Sequence, residues 1–106
     1  MNESIEIVDS KPMGKITKFE VKSWKQNPSD LTAACQAAAV YAKKHGENML
    51  VVPSNSFMRS VYQIIRLNDD LAKYVPGIGS GRVRCALVHP NGDVFQVNAS
   101  SKRSVK

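Results

Sequence analysis

Two stretches of the chain concentrate groups that hold phosphate. Residues 76–84 read PGIGSGRVR, with Gly77, Gly79 and Gly81 alternating ahead of Arg82 and Arg84. Alternating glycines let the backbone take positive φ and turn successive N–H groups toward one point, a nest that cradles an anion. The guanidinium forks of Arg82 and Arg84 would complete it. Gly79, Ser80, Gly81, Arg82 and Arg84 are therefore candidate phosphate contacts. The stretch is not a Walker loop, since no Gly-Lys-Ser/Thr closes it and a strand follows where a helix should. The spacing of a dinucleotide fingerprint is also missing. Its plain alternative is a connection whose glycines serve geometry alone.

The second stretch holds Lys11, Lys15, Lys18, Lys22 and Lys25, with Glu20 as the one acid among them. On a helix the 4, 3, 4, 3 spacing would align all five lysines. Ile16, Thr17, Phe19, Val21 and Trp24 favour a strand, however, and Pro12 and Gly14 discourage a helix. In a strand over residues 15–24, Lys18, Lys22 and Trp24 share one face. A cationic face that ends in an exposed indole is a platform for base stacking, worth about 1–3 kcal/mol per base. Lys102, Arg103 and Lys106 at the C-terminus add further phosphate contacts. The plain alternative is a solvated face whose lysines guard a sheet edge.

Catalysis finds little support. His45 falls at a helix end and His89 in a turn, and neither Cys35 nor Cys85 has a partner that would make it a nucleophile. Asp69 and Asp70 are adjacent and diverge on a helix. The positions 35, 45, 85 and 89 lack the paired spacing of a structural zinc site. The expectation is a protein that is not an enzyme and takes no cofactor and no metal.

Charge is distributed unevenly. Residues 1–10 carry Glu3, Glu6 and Asp9 and no cation, whereas residues 11–106 hold all 15 Lys and Arg against six acids, a net of +9. Such an excess acts on partners, favouring nucleic acid or acidic proteins. The 106 residues make one domain, and no apolar run is long enough for a membrane helix. Cys35 and Cys85 read as reduced core residues, and the acidic N-terminus lacks the features of a secretory signal, so the expected location is cytoplasmic.

The elements that must position these groups follow from periodicity. Leu31, Ala34, Cys35, Ala38, Tyr41 and Ala42 form one helical stripe, with Asp30 or Ser29 as N-cap and Gly46 as the stop. Met49, Leu50, Val51 and Val52 make a buried strand ended by Pro53. Phe57, Val61, Ile64, Ile65, Leu67, Leu71, Tyr74 and Val75 predict a second helix, interrupted near residues 68–70. On it Arg59, Arg66 and Lys73 would recur every seven residues. Val83, Cys85 and Leu87 form one face of a strand that turns at residues 89–93 and returns with Phe95 and Val97 inward.

The expected fold is an α/β (α+β) two-layer sandwich: a mixed four-stranded sheet with two helices on one face, in the order β-α-β-α-β-β. Residues 4–7 alternate well enough to add an N-terminal edge strand, which residues 9–12 would break. Residues 1–12 read as an acidic, extended or disordered arm, 13–99 as one globular domain and 100–106 as a basic flexible tail. Lys18, Glu20, Lys22, Arg82, Arg84, Gln96 and Asn98 would then line an open face opposite the helices. The expected function is binding of RNA or single-stranded DNA with low sequence specificity, by a monomer or homodimer. The acidic arm would lie over the empty cationic face. The alternative is a protein-interaction module, an adaptor or inhibitor that docks a basic surface on an acidic partner.

Overall fold

In a computed structural model of the chain, the described residues are 5–19, 30–56, 59–69, 71–75 and 81–101. They form an α+β domain with one helix and a five-stranded sheet. In chain order the elements are β1 (Ile5–Lys15), α1 (Leu31–His45), β2 (Met49–Ser56), β3 (Arg59–Arg66), a 3-10 turn at Leu71–Lys73, β4 (Arg82–Val88) and β5 (Asp93–Ser101). The sheet order is β1-β5-β4-β2-β3, and every neighbouring pair is antiparallel, not mixed as expected.

Helix α1 is the expected one. Its apolar stripe is mostly alanine, with Ala34, Ala38, Ala39 and Ala42 fully buried. Gly46 ends it in the left-handed region (φ 67°), where its N–H donates to the Ala42 carbonyl at 2.8 Å. Asp30 is the N-cap by position, but its side chain makes no capping hydrogen bond.

Among the described residues the second helix is absent. Residues 59–66 form β3, which pairs with β2 along its full length from Met49↔Arg66 to Ser56↔Arg59. Val61, Tyr62, Ile64 and Ile65 are β-branched or aromatic and suit a pleated surface better than a helix. Strand β2 also runs on through Pro53. Its ladder to β4 ends at Val51, so Pro53 stands where β2 has β3 alone beside it. The sevenfold spacing of Arg59, Arg66 and Lys73 therefore aligns nothing. Arg66 pairs instead with Glu47 at 3.7 Å and Lys73 with Asp69 at 3.4 Å.

Of the expected strand over residues 15–24, Lys15 belongs to β1, residues 16–19 are in no strand and residues 20–24 lie outside the described residues. Lys15 closes β1 opposite Asp93, the first residue of β5, and beyond it β5 has no further residue to pair with. Residues 16–19 instead run along α1: the Gln36 amide meets the Lys18 carbonyl at 3.5 Å, and the Lys43 ammonium lies 4.4 Å from the Phe19 ring. The edge strand allowed by residues 4–7 is present and much longer than that pattern suggested. It continues through Asp9 and Pro12 by slipping register twice, between Val8 and Lys11 and between Pro12 and Gly14.

Both sheet faces are apolar, and a different chain segment covers each. Face one packs Met49, Val51, Ala86, Val88 and Val94 against α1. Face two carries Ile5, Leu50, Val52, Cys85, Leu87, Val97 and Ala99, and the β3-to-β4 crossover lays Leu67 and Leu71 on it. A 2.8 Å hydrogen bond from the Tyr74 hydroxyl to Asp69 clasps that crossover, and the same bond is the main reason the phenol titrates above its usual range. Two helices on one face is thus corrected to one helix and one short turn on opposite faces.

Gly92 locks the β4–β5 turn (φ 97°) and accepts from the Ile16 N–H at 2.7 Å. A Cβ there would run into the Ile16 carbonyl oxygen. Gly92→Ala should therefore destabilise the domain by about 2–3 kcal/mol, from backbone strain plus collision, read as a lower urea midpoint at unchanged m-value. Ala38→Leu should cost about 1–3 kcal/mol by overpacking the helix–sheet seam.

Candidate functional site

Along β4, alternate residues point to opposite faces, and Arg82, Arg84, Ala86 and Val88 share face one. The composition of this row changes halfway. Ala86 and Val88 are buried beneath α1, whereas Arg82 and Arg84 are exposed. Helix α1 therefore covers one half of the face and leaves the other open. The open surface is not the face opposite the helix, as the sequence suggested, but the uncovered half of the helix's own face. Face two buries Cys85, Leu87 and Val97.

Cross-strand register sets what surrounds the arginines. Arg84 lies opposite Asn98 and Arg82 opposite Ser100 on β5. On the far side of β5, Lys11 lies opposite Gln96, Val8 opposite Asn98 and Glu6 opposite Ser100. These rows form a cleft with two lobes that meet at Arg84 and Gln96. One lobe, of about 280 Å³, is walled by Met13, Leu31, Val51, Pro53, Tyr62 and Ala86. The other, of about 450 Å³, is polar and is lined by Asp9, Ser10, Lys11 and Asn98. Met13 is 42 % exposed at the apolar lobe.

The electrostatics are mixed. Arg82 and Arg84 on β4 face Glu6 and Asp9 on β1 across β5, with Lys11 on the same strand as the two acids, and each carboxylate is engaged by a neutral donor. The Asn98 amide donates to Asp9 at 3.1 Å, and the Ser100 hydroxyl meets Glu6 at 3.4 Å. Among the described residues Lys11, Arg82 and Arg84 form no ion pair, so their charge is offered to solvent. Of the acidic N-terminal residues, Glu6 and Asp9 do lie beside the cations, but as part of β1, and Glu3 lies outside the described residues. Ile5 is 1 % exposed in the core, so deleting residues 1–10 would remove a strand, not a loose cover.

Of the ten residues picked out by sequence, the structure gathers Arg82 and Arg84 and places Gly81, exposed, immediately before β4. Lys18 is exposed but follows the Lys15–Asp93 end of the sheet, remote from Arg82, which sits at the other end of β4, about 20 Å away along the strand. Lys22, Trp24, Gly79, Ser80, Lys102 and Arg103 lie outside the described residues. Sequence reasoning missed Asp9, Met13 and Tyr62, and counted Lys11 in the basic stretch without placing it at the site. The switch from Arg84 to Ala86 and Val88 within one row was the signal that a face was half covered.

No group of three metal-ligating side chains occurs among the described residues, nor any helix long and apolar enough to cross a membrane. Comparison with protein-family models, curated proteins and solved structures gave no match.

Cys35 on α1 and Cys85 on β4 are buried free thiols, packed on opposite faces of the sheet. Burial pushes Cys85 up to about 12; burial, helped by the Asp30 charge, pushes Cys35 up to about 11, from an ordinary 9.0. The folded chain thus holds two protons that the unfolded chain releases above 9. Stability supplied by these thiols is complete below pH 9 and is lost as pH rises toward 11–12. Urea midpoints should fall over that window, and by less in a Cys35→Ala/Cys85→Ala variant. Equal falls in both proteins would show that the thiols contribute nothing.

Proposed function

We propose that the protein binds single-stranded nucleic acid, RNA or DNA, in the cleft on the open half of face one. The observation that carries this reading is the grouping of an arginine, two carboxamides and an aromatic ring around one cleft: Arg84 with Gln96, Asn98 and Tyr62. Unpaired bases stack on aromatic rings and guanidinium planes and bond along their edges to amides, while cations hold the backbone. Tyr62 is half-buried and packs against the core cluster of face one, so its ring is already seated at the cleft wall before a base arrives. Lys11, Arg82 and Arg84 supply the phosphate contacts, and Lys102, Arg103 and Lys106 at the C-terminus extend the same role. Protein mass this small with so few contacts suits a binder that tolerates most sequences.

The experiment is fluorescence anisotropy with labelled twelve-nucleotide RNA and DNA across a salt series. Three neutralised phosphates give a slope of log K on log salt near −2, at about −0.7 each. Arg82→Ala/Arg84→Ala should cut that slope to about one-third and weaken binding at least tenfold. Tyr62→Leu, which keeps the packing and removes the ring, should cost about 1–3 kcal/mol. Undetectable or salt-independent binding would end the reading.

The second reading, docking on an acidic protein, is favoured by one feature. Strand β3 lies at the sheet edge and, unlike β1, carries neither a proline nor a register slip. Its sequence RSVYQIIR has an arginine at each end and no acid, a fit for an acidic extended segment that would add a strand. Capture of one protein from a lysate, unaffected by nuclease, with no oligonucleotide binding, would select this reading over the first.

A further inference from the structure

Asp9 is out of character with the rest of the cleft. It is the one non-glycine among the described residues with positive φ (56°), at the first register slip of β1. Aspartate and asparagine tolerate this left-handed conformation better than other side chains, and a bulge re-aims the residue it carries. Here it sets a carboxylate in the polar lobe that Lys11 and Arg84 also line. The carboxylate is exposed, accepts from the Asn98 amide, and forms no ion pair among the described residues. It therefore neutralises neither cation. Next to a polyanion it opposes binding, unless the ligand brings it a donor.

The donor pattern can be named. A carboxylate only accepts, through two oxygens side by side. Among the unpaired bases, guanine alone presents two adjacent N–H donors, at N1 and N2, on its Watson–Crick edge. Adenine and cytosine set an acceptor beside their donor, and uracil flanks one donor with two carbonyls. Resting on the single-strand reading above, we infer that Asp9 is a specificity-determining residue that makes the cleft select guanine. Its oxygens accept the N1–H and N2–H of one unpaired guanine while Asn98 holds the carboxylate and Lys11 and Arg84 hold the flanking phosphates. Specificity is then one preferred base in a strand otherwise bound by its backbone.

The test compares oligouridine of twelve nucleotides with the same strand carrying one central guanine, by anisotropy on the full chain. The guanine strand should bind about tenfold more tightly, the scale of a bidentate contact to a base, and the corresponding deoxy strands should keep that ranking. Asp9→Asn retains tolerance of the left-handed backbone and removes the double acceptor and the charge. It should bind oligouridine as tightly as the native chain or more so, while the guanine advantage falls below twofold. That pairing of outcomes separates a specificity role from simple damage to the fold, which would weaken both strands. Equal native affinity for the two strands, or a guanine advantage that survives Asp9→Asn, would overturn the inference and leave the single-strand reading standing. A preference lost in the deoxy strands would show that the guanine edge alone is not what Asp9 reads, and would likewise overturn it. If 5′-GMP competed as tightly as the guanine strand, a free nucleotide would replace the strand as the source of the base. Binding of no strand at all would remove the reading and the guanine selection together.

Discussion

The arrangement depends on how closely α1 can approach the sheet. Ala34, Ala38, Ala39 and Ala42 meet Ala86, Val88 and Val94 with little bulk on either side. Close contact between small side chains gives dense packing but no reach. A helix of 15 residues spans about 22 Å, and it lies over the end of the sheet where β2 begins and β4 finishes. The row on β4 reflects this limit directly: its apolar members sit under the helix and its arginines lie past it. Longer side chains on α1 would have raised the helix and spread its cover. The alanines leave half a face bare.

Among the described residues no α-helix lies on the second face, and the chain solves its burial differently. The crossover from β3 to β4 must pass over β2, since β3 lies at the edge and β4 on the inner side. Passing there, it lays Leu67 and Leu71 on Leu50, Val52, Cys85 and Val97. A clasp of Tyr74 and Lys73 on Asp69 holds the turn, and the Ile5 N–H ties the start of β1 to the Leu67 carbonyl at 3.2 Å. The two long connections thus seal opposite faces. That division is what makes the uncovered patch polar: only the face with the short, close helix has room for exposed arginines and carboxamides.

These relations set what could be read from sequence. Helix α1 was legible because its 3.6 period, its last-turn cations and Gly46 agree. The β4–β5 hairpin was legible because alternation brackets a Pro-Asn-Gly turn. Strand β3 was not, since Val61, Ile64 and Ile65 satisfy both a helical and a strand pattern over so short a run. What decides between them is a neighbour: β2, continuing past Pro53, supplies a ladder that a helix could not use. The face taken by α1 was likewise beyond local pattern. Both rows of β4 contain apolar residues, and alternation cannot say which one meets the helix.

The residues of β1 missed at the cleft share one cause. Asp9, Ser10, Lys11 and Pro12 look like a chain break, and in a regular strand they would be one. The register slips let β1 absorb them, so β1 keeps its pairing with β5 on both sides of the irregularity. An edge strand with bulges resists pairing with another molecule, which is reason enough for irregularity at this edge. It does not account for an exposed carboxylate directed among cations it leaves unpaired. A guard against aggregation needs only the slip, the lysines and the proline, and an asparagine at position 9 would hold the slip as well as an aspartate. The carboxylate is surplus to the fold, and surplus polar chemistry at a cleft is where recognition of a ligand is most economically sought.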